Sequence, residues 1–248
     1  MTDHPLELHL PRERAELVWT LYDVPEKLSL RDSLPGAHVF DRIAEGLKHA
    51  AERDLPLADR LAFALPASWM VNAKAPSPVL RAWRSNEALP AWELLVERLE
   101  GGPADWLRLD DNDRQEIGYA LEALVVPPRG GLCALSKVLA LLCPRTVPLL
   151  DDAAIALLTG GVELPADADH PAAGPEHLVP ALDAFCRAAV EGEATLATLA
   201  DAVPDLTLSP GQVLDRLLWV DSWGHRHFGG ELVCTATSWS VKLPAASS

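Results

Sequence analysis

Cysteine is scarce. Cys133, Cys143, Cys186 and Cys234 follow no C-x-x-C spacing and are too sparse over 248 residues for a disulfide scaffold. Ten residues of helix would hold Cys133 and Cys143 about 15 Å apart, beyond bridging distance. Buried free thiols are the expectation. Long apolar runs are also missing: no stretch of eighteen apolar residues occurs, so no membrane partner is expected. The opening MTDHPLELHLPRER has neither the basic flank nor the apolar run of a secretion signal, which predicts a cytoplasmic protein. Basic residues are outnumbered 36 to 21, for a net charge of −15. That balance excludes a protein that coats nucleic acid non-specifically, because phosphate neutralisation needs lysine and arginine. A glycine-rich phosphate loop, an H-E-x-x-H helix and a G-x-S-x-G elbow are all absent, which removes the common nucleotide-hydrolysing, zinc-protease and serine-hydrolase classes.

Hydrophobic residues, at 49%, are sufficient for a sizeable core, and the apolar spacing is helical along most of the chain. The fold class expected is mainly α, a single helical unit over residues 1–248. Pro11 opens an amphipathic stretch to residue 22, and Val39, Phe40, Ile43, Leu47 and Ala50 mark a helix from Gly36 to Arg53. A shorter helix over Leu57 to Leu65 is closed by Pro66. Trp92, Leu95, Val96 and Leu99 form a stripe stopped by Gly101 and Gly102, where glycine favours a left-handed cap. Asp110, Asp111 and Asp113 read as capping acids for a helix with Ile117, Leu121, Leu124 and Val125 inward. Their spacing does not match a calcium loop.

Past a loop rich in Pro, Ala, Asp and Gly, helices are predicted over Pro175 to Val190 and Glu193 to Ala202. Ser209-Pro210 opens the last, with Val213, Leu214, Leu217, Leu218 and Val220 inward, Asp215, Arg216 and Asp221 outward, and Trp219 and Trp223 sharing a face. A short C-terminal β-hairpin is expected between Phe228 and Leu243. His225 and His227 would share one face of a strand, with Cys234 or Asp221 as further zinc-type ligands. Histidines just past a helix end are the plainer reading, and no metal or other cofactor is assigned.

Charge is unevenly spread. Residues 1–128 carry 14 basic and 22 acidic side chains, and residues 161–248 carry 4 and 12, whereas 129–160 sets Arg129, Lys137 and Arg145 against Asp151 and Asp152. An acidic body with a locally cationic centre would meet a phosphate backbone through one patch. A second cationic stretch, Ala67 to Asn86, holds Lys74, Arg81 and Arg84 with Trp69 and Trp83 and no acid. Interleaved Trp and Arg stack bases and hold phosphates; a core tryptophan beside surface arginines is the plainer alternative.

The segment 129–160, RGGLCALSKVLALLCPRTVPLLDDAAIALLTG, predicts a helix–turn–helix: a glycine turn, an apolar helix with Lys137 near its start, a Pro144 break, and Asp151 at the next N-cap. At a helix's positive end an ammonium is disfavoured, so Lys137 is a candidate amine nucleophile, and Asp151 a candidate carboxylate to orient a base, a water or a developing cation. Each also has a purely structural reading, as a solvated helix charge and as an N-cap. The run from Ser136 to Leu158, with Cys143-Pro144-Arg145 and Val147-Pro148-Leu149-Leu150-Asp151, resembles the helix–hairpin–helix DNA glycosylase superfamily, nearest to bacterial 8-oxoguanine-glycosylase-fold relatives. The later LDRLLW from Leu214 to Trp219 is similar to the closing helix of such relatives.

The resemblance implies a helical glycosylase-like bundle that flips a damaged or modified base of duplex DNA into a pocket. Lys137 would attack the sugar C1′ and Asp151 would assist base departure. Arg129, Arg145, Lys74, Arg81, Arg84, Trp83, Trp219 and Trp223 would contact nucleic acid or substrate. Where the superfamily has a Leu-Pro-Gly-Val-Gly turn this chain has Gly130-Gly131-Leu132-Cys133-Ala134, and the interval from Lys137 to Asp151, 14 residues, is shorter. A catalytically inactive interaction protein with an acidic surface for a basic partner, and a small-molecule enzyme using the same pocket, are the alternatives.

Overall fold

Helix α1, Ala37–Glu52, buries Ala44 and Leu47 and half-buries Ile43, which is one apolar stripe turned to a core. The computed structural model describes residues 37–67, 77–125, 132–150, 154–155, 158–159, 175–200, 208–216, 218, 231–234 and 239–242. The helix expected over 11–22 and the loop expected after Gly160 lie outside them.

Helix α2, Leu57–Ala67, packs on α1. Pro66 lies inside its last turn instead of closing it. The proline removes one ladder bond, but Leu65 and Ala67 on either side are both buried, and that packing outweighs the local cost. Helix α3, Ser77–Trp83, opens on a Ser-Pro pair. Helix α4, Leu89–Leu99, buries Trp92, Leu95, Val96 and Leu99 as its spacing predicts. Gly102 then takes φ 124° and ψ 177°, a region only glycine occupies readily, and does so as the N-cap of the one-turn helix α5, Pro103–Trp106. The left-handed cap expected at the end of α4 is corrected accordingly: the positive φ serves the next element's start.

Helix α6, Asp111–Leu124, is capped by Asp110, whose Oδ1 accepts from the Asp113 amide at 2.9 Å. Ile117, Leu121 and Leu124 are buried and Val125 half-buried. Helix α7 is Leu132–Leu142, helix α8 Pro175–Glu191, and helix α9 Glu193–Ala200. The chain is helical again over 210–216. Leu178, Leu182, Phe185, Val213, Leu214 and Leu218 are buried, as their periodicity requires.

Two packing groups share one apolar core: α1, α2 and α7 lie against one another, while α6 packs on α4 and α8 on both α5 and α6. The described residues are mainly helical. Backbone pairing between Glu231–Cys234 and Trp239–Lys242 is antiparallel. The residues that join and flank these strands are outside the description, so the C-terminal hairpin stays an expectation and carries no part of the fold. Among the described residues no helix is long and apolar enough to cross a membrane.

Candidate functional site

Lys137 is the one charged residue of α7, LCALSKVLALL. From Ala134 to Leu142 every other side chain is buried, and Lys137 is half-buried. A helix apolar on nearly every face belongs in the middle of a core, and α1 and α2 cover one side of this one. Lys137 stands five residues beyond Leu132, in the second turn. The expected position at the helix start is therefore corrected: Lys137 lies beyond the first turn, within which the macrodipole field fades.

After α7 the chain turns through Cys143, Pro144 and Arg145, with the Thr146 and Val147 amides both donating to the Cys143 carbonyl at 3.1 and 3.0 Å. Residues 147–150 are irregular and mostly buried, so their backbone groups need partners. Side chains provide them. The Ser136 hydroxyl donates to the Leu150 carbonyl at 2.9 Å and accepts from the Leu150 amide at 3.2 Å. One fully buried hydroxyl thus satisfies both backbone groups of one residue. From the opposite side Asp215 Oδ1 accepts from the Leu149 amide at 2.7 Å, while its Oδ2 takes Arg216 Nη1.

Asp215 and Arg216 are 5% and 4% exposed, which overturns the expectation that they face outward. The cause is docking: a Cβ on Gly211 would lie 2.2 Å from the Arg145 carbonyl oxygen, so the 210–216 helix rests directly on the turn after α7. Asp215 meets backbone there instead of water, and Arg216 meets Asp215.

Of the other expected contact residues, Arg145 is exposed on that same turn, with its guanidinium beside Gly102, and Arg81 and Arg84 are exposed at the end of α3. Trp83 between them is not a contact surface. It is 2% exposed, its Nε1 donates to the Leu124 carbonyl at 2.6 Å, and its ring stands edge-on to Trp92 at 5.9 Å and 88°. Both the polar handle and the ring are committed to the core, which corrects its assignment to base stacking. Arg129, Lys74, Asp151, Trp219 and Trp223 lie outside the described residues, as do Asp152, His225 and His227.

A second polar knot ties helices together. Asp183 on α8 accepts from Trp106 Nε1 at 2.6 Å and from Arg114 Nη1, and the Arg114 guanidinium sits 5.4 Å from the Trp106 ring centroid. The Cys143 and Cys186 thiols are free and buried. Burial first, and then the nearby carboxylates of Glu100 and Asp183 respectively, push both well above the ordinary 9.0, so neither is a nucleophile. Among the described residues no three His, Cys, Asp or Glu side chains group as metal ligands.

Sequence reasoning singled out Lys137 but missed Ser136 and Asp215, which hold the backbone of Leu150 and Leu149. A serine inside an otherwise apolar helix and an Asp-Arg pair inside LDRLLW were the signals available. Protein-family models, curated protein sequences and solved structures give no match to this chain. A functional reading rests on its own residues.

Proposed function

We propose that this chain is a DNA-glycosylase-like protein that removes a damaged or modified base from duplex DNA, with Lys137 as amine nucleophile and Asp151 as its carboxylate partner. One observation carries the reading: Ser136 and Leu150 are hydrogen-bonded to each other at 2.9 and 3.2 Å, and each is the residue immediately before one of the two groups. Side chains separated by 14 residues in sequence thus follow two chain positions that touch. The reading takes the helical bundle as glycosylase-like and the protein as cytoplasmic.

The chemistry needs Lys137 as the neutral amine, whose Nζ lone pair forms a bond to C1′. The C1′–N bond breaks, its electron pair leaves with the base, and the base takes up a proton as it departs. Carboxylate charge from Asp151 offsets the positive charge that develops on the sugar. The new ammonium gives one proton to the departing base, and the N,O-acetal so formed then opens: the C1′–O4′ bond breaks, the remaining amine proton passes to O4′, and an imine links the protein to the sugar. Exposed Arg145, on the turn between the two groups, is available to a phosphate.

A second reading, a catalytically inactive interaction protein whose acidic surface meets a basic partner, is favoured by the loss of Trp83 to the core. Borohydride trapping on duplex oligonucleotides carrying an abasic site or an oxidised guanine separates the two. The glycosylase reading predicts a covalent adduct that is lost in Lys137→Ala and reduced at least tenfold in Asp151→Asn. No adduct, together with no retention on DNA at low salt, transfers the conclusion to the interaction protein.

A further inference from the structure

Arg145 is held by both its backbone and its side chain. A Cβ on Gly211 would lie 2.2 Å from its carbonyl oxygen, so the 210–216 helix fixes its main chain. A Cβ on Gly102 would lie 3.6 Å from its Nη2 and 3.7 Å from both Cζ and Nε. A point so nearly equidistant from those three atoms lies over the flat face of the guanidinium, because in its plane no point at that range is equally far from all three. One face therefore rests on the Gly102 backbone. The edges that carry the N–H donors are left to solvent, where Arg145 is exposed. Gly102 gives a flat seat because it has no side chain, and its φ of 124° is a conformation that other residues rarely adopt.

Those donors are uncommitted. Among the described residues no carboxylate or carbonyl accepts from Arg145, although acids outnumber bases 36 to 21 in the chain. The two carboxylates nearest to Gly102 in sequence are engaged elsewhere: Glu100 Oε1 takes Arg60 Nη1 at 2.8 Å, and Asp105 Oδ1 takes Arg108 Nη1 at 3.2 Å. A planar fork fixed in advance binds a phosphate through two parallel N–H bonds and loses little further freedom in doing so.

We infer that Gly102 and Gly211 are positioning residues for Arg145, which they present as a fixed two-pronged contact to one backbone phosphate of duplex DNA. The inference deepens the glycosylase reading and rests on it for DNA as the source of the phosphate. Arg145 touches the ligand; the two glycines act only through it.

Its test is the salt dependence of binding. A fluorescein-labelled duplex carrying an abasic site is titrated with protein by fluorescence anisotropy, at potassium chloride from about 50 to 200 mM. Arg145→Gln is expected to lower the slope of log Kd against log salt by about 0.9, the share of one phosphate, and to weaken binding about tenfold at the lowest salt. Arg145→Lys keeps the charge without the fork, so it should keep the slope and lose about threefold in affinity. Gly102→Ala and Gly211→Ala, compared at a temperature where circular dichroism shows them folded, should each weaken wild type about threefold and leave Arg145→Gln unchanged. Arg187→Gln, which removes an exposed charge from α8, should leave the slope as it is.

No retention of the duplex by wild type at the lowest salt overturns the inference. So does a slope that Arg145→Gln leaves unchanged, or that Arg187→Gln lowers as much. Inorganic phosphate replacing chloride at equal ionic strength should not displace the duplex; displacement that Arg145→Gln abolishes would assign Arg145 to free phosphate and overturn the DNA contact. A slope that falls as expected, in a protein that gives no borohydride adduct, upholds the phosphate contact and sinks the glycosylase chemistry alone. An adduct with an unchanged slope does the reverse.

Discussion

Around α5, α6 and α8, buried and half-buried polar side chains tie one helix to another: Asp183 takes both the Trp106 indole and the Arg114 guanidinium. Around α7 and 210–216 the same kinds of side chain hold irregular backbone, Ser136 on Leu150 and Asp215 on Leu149. The first arrangement braces elements that helical propensity and apolar burial already favour. The second determines the path of a stretch that has no ladder of its own, ending at the residue before Asp151. Buried polarity spent on an irregular path is the mark of a place whose geometry matters beyond stability.

The sharpest way to break this comparison is to remove the carboxylate from each region. Asp215→Ala takes a 5%-exposed carboxylate away from both the Leu149 amide and the 4%-exposed Arg216 and should cost about 3–5 kcal/mol. Asp183→Ala removes a 27%-exposed carboxylate from Arg114, which is itself 20% exposed, and water replaces part of the loss, so about 1–2 kcal/mol is expected. Urea unfolding of both variants decides it; equal losses would erase the distinction between the regions.

A glycine pair sharpens the same point at smaller amplitude. Gly211→Ala drives a Cβ to 2.2 Å from the Arg145 carbonyl and should destabilise by about 1–3 kcal/mol. Gly46→Ala, inside α1 with open space around the added methyl, should stabilise by about 0.5–1 kcal/mol. Thermal unfolding reads both. A harmless Gly211→Ala would mean the 210–216 helix is not seated on the turn.

The smallest effect spans both regions through their thiols, Cys143 beside α7 and Cys186 on α8. Burial holds both above the ordinary 9.0, so above that pH the unfolded chain sheds protons that the folded chain retains. Their contribution is therefore complete below about pH 9 and stability falls as pH rises beyond it. Urea midpoints at pH 8 and pH 10, compared with those of Cys143→Ser and Cys186→Ser, would show a reduced slope in the variants. A midpoint independent of these thiols would contradict their burial.

Helix existence was largely legible because it depends on local spacing. Trp92, Leu95, Val96 and Leu99 lie within one helix, and the Asp110 cap reaches only three residues along the chain. Of the two readings open for Trp83 the plainer one, a core tryptophan, holds; the sequence did not decide between them because its hydrogen-bond partner, Leu124, lies 41 residues away and no local pattern reveals where an indole points. Asp215 was misplaced for the same reason, since the amide it accepts from is 66 residues distant. Lys137 was identified as a lysine near the start of an apolar helix, but its place in the second turn depends on where α7 begins, and the role of Ser136 beside it on how 147–150 returns along α7.

The most direct test of the central claim is to treat a mixture of wild-type protein and abasic duplex with borohydride, digest it, and locate the nucleotide on the protein by mass spectrometry. The account predicts an adduct on Lys137 that disappears in Lys137→Ala while folding is retained. An adduct on any other residue, or one that survives Lys137→Ala undiminished, would contradict it.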